Sequence, residues 1–255
     1  MKMGMVTGIA IPTPNPPHAH PYEAVWEPKW REGMAKEIEA LEDNNTCNVE
    51  ELPLGKKLIN CKWVFKVKYK FDGSIERCKA RLVIRGDEQI EGFDYTESFA
   101  PVAKMTSVRT FLAVVAAKGW ELHQMDVNNA FLHGDPNEEV YMTMSPGFPT
   151  SNLKKVCRLC KLLYGLKQTP CQWFAKLSLK LLEYGFNRSY AGCSLFTYKK
   201  HTKFMVLLIY MDDIVLTGND PKLCTDFKEN LDKCFHIKDL GTLKYFLGIE
   251  VTRNS

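Results

Sequence analysis

Two adjacent acids, Asp212 and Asp213, stand between two apolar runs in the stretch Phe204-Met-Val-Leu-Leu-Ile-Tyr-Met-Asp-Asp-Ile-Val-Leu-Thr-Gly218. Neighbouring carboxylates beside that much apolar sequence repel each other and lose solvation, a cost that a cation between them relieves. Oxygen-only ligands suit Mg²⁺, which takes one or two carboxylates and fills its other positions with water and substrate phosphates. The competing reading is a polar turn, because Asp is common in turns. A third acid sits in a matching setting upstream: Trp120-Glu-Leu-His-Gln-Met-Asp126 alternates as a strand does and ends at Asp126-Val-Asn-Asn-Ala-Phe131, where the chain must turn. One acid at a strand end and two at a hairpin tip can converge on a pair of metal ions, the arrangement used for in-line phosphoryl transfer.

The elements that must carry these acids follow from period and length. Both apolar runs are too short to span a bilayer, so each reads as a buried strand, with Tyr210-Met211-Asp212-Asp213 at the hairpin turn between them. Leu58 to Arg85 holds two β-rich runs around Asp72-Gly73, a strong hairpin signal. In the first run Lys66, Lys68 and Lys70 share one face, while Phe65, Val67 and Tyr69 share the other. Lysines of this kind also blunt the edge strands of sheets. The return strand adds Arg77, Lys79, Arg81 and Arg85, so the basic face is two-stranded and favours a polyanion partner. Helices are predicted over Lys29–Leu41, over Thr106–Lys118 with Thr106 as N-cap and Gly119 as terminator, over Trp173–Tyr184, and over Pro221–Cys234. Short strands are predicted at 137–142, 194–198 and 243–251, with a turn at Pro146-Gly147.

A chain of 255 residues holds one large domain or two small ones, and 45% hydrophobic with 25% charged residues is ordinary for a globular protein. Its net charge of +4 is unevenly spread: Lys56 to Arg85 carries ten Lys or Arg against two acids, a local +8, so the remainder is about −4. Nine cysteines at irregular spacing, with no secretory signal, predict free thiols in a reducing compartment. Cys157 and Cys160 have metal-site spacing but lack a second pair, so structural cysteines are expected there. Residues 1–21 are rich in Pro and His and read as a flexible tail, and His18 and His20 are given no chemistry. No segment reaches transmembrane length, so a cytoplasmic or nuclear location and no membrane partner are expected.

The Asp126-Val127-x-x-Ala130-Phe131 segment followed by Tyr210-Met211-Asp212-Asp213 resembles two motifs of reverse transcriptases. Leu163-Tyr-Gly-Leu-Lys-Gln-Thr-Pro170 narrows the resemblance to the Pol polyproteins of copia-type LTR retrotransposons, as do Lys62-Trp-Val-Phe-Lys66, Lys79-Ala-Arg-Leu-Val83, Phe99-Ala-Pro-Val102 and Tyr245-Phe-Leu-Gly-Ile-Glu250. The resemblance covers roughly residues 22 to 253, in family order. It implies an α+β fold of fingers (about 50–93 and 137–168) and palm (about 94–136 and 169–255), with a split-βαβ palm whose helices cover one face of an antiparallel sheet and leave the acid-bearing face open. The thumb and RNase H are expected to lie outside the chain.

The same resemblance implies an RNA-directed DNA polymerase that joins a dNTP to a primer 3′-hydroxyl on an RNA or DNA template. Asp126, Asp212 and Asp213 would hold two Mg²⁺ ions, with Mn²⁺ an alternative. Lys79 and Arg81 would grip the triphosphate, and Phe131 would exclude a ribose 2′-hydroxyl, where without the surrounding motif a core aromatic would be the preferred account. Tyr164 and Gly165 would lie under the templating base and incoming nucleotide, and Phe246, Leu247 and Gly248 would form the primer grip. Other Pol segments are implied partners, and a virus-like particle the setting of an intact element. Cys171, Gly192 and Cys47 depart from the family's usual Arg, Asp and Trp. The alternative is a catalytically silent remnant that still binds nucleic acid. An unrelated phosphotransferase is disfavoured by the lack of a Gly-rich Lys-Ser/Thr phosphate loop.

Overall fold

The computed structural model describes residues 28–70, 72–98, 100–127, 129–136, 138–144, 155–190 and 192–252. The Pro/His-rich segment 1–21, with His18 and His20, and the turn at Pro146-Gly147 lie outside the described residues. The chain divides into two compact units. The first comprises the described residues of Thr13–Phe99 and Phe131–Trp173, and the second those of Ala100–Ala130 and Phe174–Ser255.

In the first unit, helix α1 (Pro28–Asp43) buries Trp30, Gly33, Met34, Glu37 and Leu41, the stripe that its period predicts, with one acid included. Strands β1 (Cys47–Glu51), β2 (Leu58–Ile59), β6 (Tyr141–Met142) and β7 (Lys155–Leu159) form a four-stranded sheet in the order β1-β7-β6-β2. Strands β3 (Cys61–Tyr69) and β4 (Ile75–Ile84) form a separate antiparallel hairpin. Its tip is the expected turn: Gly73 has φ +82° and Asp72 Oδ1 accepts the Ser74 amide at 2.9 Å. Pairing sets Lys66 opposite Lys79 and Lys68 opposite Arg77, with Val64 opposite Arg81, on one face. Trp63, Leu82 and Ala80 are buried on the other, in a core with Met34, Leu41, Ile59, Leu162 and Leu163.

The second unit is built on a six-stranded antiparallel sheet in the order β12-β5-β11-β10-β9-β8. Its members are β5 (Leu122–Val127), β8 (Asn187–Arg188), β9 (Leu195–Lys200), β10 (Lys203–Tyr210), β11 (Asp213–Gly218) and β12 (Ile237–Thr242). Helices α2 (Met105–Lys118), α3 (Thr169–Tyr184) and α4 (Pro221–Phe235) accompany it, the division between units falling inside α3. On one face, Phe196 and Tyr198 of β9 pack with Phe174 and Tyr184 of α3 and, through Phe186, with Phe227 of α4. The opposite face carries Asp213 and Asp126, and farther along the strands it carries Leu122, Leu208 and Val215. These bury against Val108, Phe111, Leu112 and Val115 of α2 and against Leu243 and Phe246.

Several expectations are corrected here. Helix α2 and residues 243–251 cover the apolar part of the acid-bearing face, because Leu208 and Val215 would otherwise meet water, so helices are not confined to one face. Helix α2 starts at Met105 with Lys104 as an N-cap that makes no side-chain bond, not at Thr106, whereas Gly119 ends it in the left-handed region as predicted. The single strand expected at 243–251 is a small hairpin, β13 (Tyr245–Phe246) with β14 (Ile249–Glu250), and β12 was not foreseen. The nine cysteines are not all free: Cys47 and Cys157 are joined, with Cα atoms 5.4 Å apart across 110 residues of sequence. Pairing of β1 with β7 makes them diagonal neighbours, which no local spacing announces. No helix among the described residues is long and apolar enough to cross a membrane.

The other seven cysteines carry no disulfide. A thiol reagent should therefore count seven thiols on the unfolded, unreduced chain and nine after reduction. Nine before reduction would show that the β1–β7 pair holds two thiols in contact.

Candidate active site

The acids are positioned by register. Tyr210 and Asp213 pair across β10 and β11, so Met211 and Asp212 form a two-residue turn, and Met211 has φ 58°. A primed hairpin turn demands that sign at its first central position, and a non-glycine residue there is a strained choice of the kind found at functional sites. Asp213 lies directly opposite Asp126 of β5, and on the other side of β5 Lys238 of β12 lies opposite Asp126. Directly paired residues share a face, so the row across three strands reads Asp213, Asp126, Lys238. The carbonyl of Asp212 accepts the Val127 amide at 3.2 Å, which ties the turn to the end of β5. The acids are half-buried, while Lys238 is exposed. Gln124 Nε2 donates to Asp213 Oδ1 at 3.2 Å. Burial pushes the Asp213 carboxyl above its ordinary value; the Gln124 bond lowers it and the charge of Asp212 raises it further.

The three acids thus share one end of one sheet. Among the described residues, no group of three or more His, Cys, Asp or Glu side chains is gathered as a ready metal site. Sequence reasoning missed Lys238 and Gln124. Lys238 becomes visible only when β12 is known to pair with β5, and Gln124 is a strand residue like many others.

The residues expected to meet a nucleotide gather in the first unit. Tyr164 takes the edge of Phe131 at 4.8 Å between ring centroids and carries the Arg81 guanidinium over its ring at 5.4 Å. Burial lowers the pKa of Lys79, and the charges of Arg81, Lys68 and Arg77 lower it further. Such a face attracts an anion. Gly165 is explained by its own unit: with φ +98°, a Cβ there would sit 2.1 Å from the Ile84 carbonyl oxygen. The Ile84 amide donates to the Tyr164 carbonyl at 2.8 Å, so the Tyr164-Gly165 segment is fastened to the end of β4. Two buried glutamines, unremarked in the sequence, complete the fastening. Gln89 Oε1 accepts the Lys167 amide at 2.8 Å, and Gln89 Nε2 donates to Gln168 Oε1 at 3.0 Å.

In the second unit, Phe246 is buried and meets Tyr210 edge-on at 6.3 Å. Leu247 (φ 49°) and Gly248 (φ 81°) are the two central residues of the β13–β14 turn, where a positive φ at both positions is the type I′ pattern. The departure at Cys171 leaves its Sγ 3.5 Å from Glu97 Oε2.

The family described as "Reverse transcriptase (RNA-dependent DNA polymerase)" matches residues 44–255. The chain belongs to this family. It is 43% identical over 233 residues to the "Retrovirus-related Pol polyprotein from transposon RE1" of Arabidopsis thaliana, covering 91% of this chain and 16% of that protein. It is also 43% identical over 222 residues to the corresponding polyprotein from transposon TNT 1-94 of Nicotiana tabacum, covering 86% of this chain and 17% of that one. The chain therefore spans about a sixth of the length of these relatives. Among solved structures, a prototype foamy virus protease-reverse transcriptase aligns with a TM-score of 0.45 and 16% identity, covering 89% of this chain and 24% of that one.

Two outcomes follow from the geometry. Gly165→Ala should destabilise the first unit by roughly 2–4 kcal/mol in urea denaturation, through backbone strain and a clash with β4. An unchanged midpoint would show that the Tyr164-Gly165 fastening is loose. Because the Asp213 pKa is raised, the folded state holds that proton more readily than the unfolded chain does, so its contribution is favourable below the unfolded value of about 4 and is lost as pH rises through the folded value. Asp213→Asn should accordingly raise Tm at neutral pH without divalent ions, and the gain should vanish as pH falls toward about 4.

Proposed function

We propose that the chain is the polymerising part of a copia-type reverse transcriptase, transferring a deoxynucleotide from a dNTP to a primer 3′-hydroxyl on an RNA or DNA template. The observation that carries this reading is the direct pairing of Asp213 with Asp126, with Asp212 in the turn tied to Val127. In this reading the six-stranded sheet with its helices is the palm, and the β3–β4 hairpin belongs to the fingers.

The donor set fits Mg²⁺ or Mn²⁺. It is oxygen-only, Asp213 is pushed toward neutrality by burial, and a Mg²⁺ site completed by substrate phosphates needs only one or two carboxylates per ion rather than a closed protein cage. Asp126, Asp212 and Asp213 would hold two ions, which supply charge stabilisation and a lowered pKa for the attacking hydroxyl. The chain's own contributions are electrostatic and positional. Lys238 sets a fixed positive charge in the acid row before any substrate arrives. Gln124 orients the Asp213 carboxylate through its bond to Oδ1. Lys79 and Arg81 would take triphosphate oxygens, Arg81 steadied by the Tyr164 ring. Phe131, braced edge-on by Tyr164, would stand against a 2′-hydroxyl. The Leu247-Gly248 turn would offer backbone groups to the primer end.

Primer extension on poly-rA/oligo-dT with Mg²⁺ tests the reading. The wild type should extend the primer, and Asp212→Asn with Asp213→Asn should reduce extension by at least about 10³-fold while duplex binding is kept. Equal binding with no extension by either protein would instead identify a silent nucleic-acid-binding remnant.

A further inference from the structure

Helix α1 precedes the residues matched by the family, which begin at 44, yet it reaches the basic face of the hairpin. It lies along the outer edge of β4. Gly33 is needed there, because a Cβ would come within 2.9 Å of the Cys78 carbonyl oxygen. Trp30 meets Phe65 edge-on at 5.0 Å. One turn beyond Gly33, Glu37 is 5% exposed, and its Oε1 accepts the Leu82 amide of the β4 edge at 3.3 Å. Its Oε2 accepts from the Arg81 guanidinium in an ion pair.

A carboxylate buried to this degree carries a large desolvation penalty, and only partners with good geometry offset it. Burial raises the Glu37 pKa, while Arg81 and the Leu82 amide oppose that rise. Arg81 gains in turn. It shares a face with Lys79, Lys66 and Arg77, whose charges push a flexible cation toward solvent, and the Glu37 oxygen with the Tyr164 ring fixes where its planar fork lies.

We propose that Glu37 is a positioning residue for nucleotide binding, a carboxylate of helix α1 that presets the Arg81 guanidinium for triphosphate oxygens. Helix α1 is then a working part of the polymerase, not a leader to it. The proposal rests on the reading of Arg81 as a triphosphate contact.

The test uses the full chain, with dNTP-dependent primer extension and binding of a fluorescent dNTP analogue to the enzyme–duplex complex. Glu37→Gln keeps an acceptor for the Leu82 amide but removes the charge. It should raise KM and the analogue's Kd by about tenfold while kcat changes by less than about twofold. Arg81→Ala should raise KM at least as much, and the double variant should be no worse than Arg81→Ala alone. Glu37→Asp keeps the charge with a shorter reach, so it should fold as the wild type does and show an intermediate rise. An unchanged or lowered KM in Glu37→Gln, or additive effects in the double variant, overturns the proposal. If Arg81→Ala leaves KM and Kd unchanged while the Asp212/Asp213 variant abolishes extension, the polymerase reading stands and the Glu37 proposal falls. If no protein extends, the analogue's Kd in Glu37→Gln and Glu37→Asp decides it.

Discussion

Like charges must be held together at the end of an apolar sheet, and most of the second unit answers that constraint. Asp126 and Asp213 face each other across β5 and β11, where antiparallel pairing leaves little freedom to move apart. The middles of the strands behind them are buried, so the sheet has little room to relax and relieve the repulsion. What the structure offers instead is local. Gln124 bonds one carboxylate, Lys238 stands in the same row, and the Met211 turn keeps Asp212 at the tip. Burial, and to a lesser extent the charge of Asp212, still hold the Asp213 pKa above its ordinary value. A site that is slightly unstable by itself is a common trade between stability and activity.

The first unit meets the mirror-image constraint. Its hairpin gathers Lys66, Lys68, Arg77, Lys79 and Arg81 on one face, and only buried packing on the other keeps those strands paired. Helix α1 contributes twice, by covering the open edge of β4 and by supplying Glu37, a carboxylate that reaches Arg81. Covering the edge also removes a strand that would otherwise be open to pairing with other chains. The glycines serve close approach of backbones. Gly33 lets α1 reach β4, and Gly165 lets the Tyr164 segment meet its end. Tyr164, Arg81 and Phe131 thus stand on a scaffold fastened from two sides of the same strand.

Legibility follows the range of the interaction. The Asp72-Gly73 turn, the acid turn between β10 and β11, and the helix stripes are local patterns, and the structure reproduces each with shifts of a few residues at the ends. Strand β12 escaped because Ile237-Lys-Asp-Leu-Gly-Thr242 has no alternating apolar face: it is an exposed edge strand held mainly by its pairing with β5. The hairpin at 245–250 was read as one strand because Leu247 is an improbable turn residue, and the sequence shows no penalty for a positive φ. Glu37 carries no local signal that sets it apart on an amphipathic helix, and only β4 beside it buries it.

What the amino-acid sequence determined by itself is therefore the chemistry on offer and the short-range geometry that presents it: three acids at strand ends, a basic two-stranded face, and turns where backbone preferences leave little choice. Only the tertiary structure decided which groups answer one another. The partnership of Glu37 with Arg81, the row of Asp213, Asp126 and Lys238, the Gln89–Gln168 fastening, the Cys47–Cys157 link and the cover of α2 over the acid-bearing face all join residues distant in the chain. Their physical reason is common. Each depends on strand register and edge burial, where a shift of one residue turns every side chain to the other face, and no local pattern carries that information.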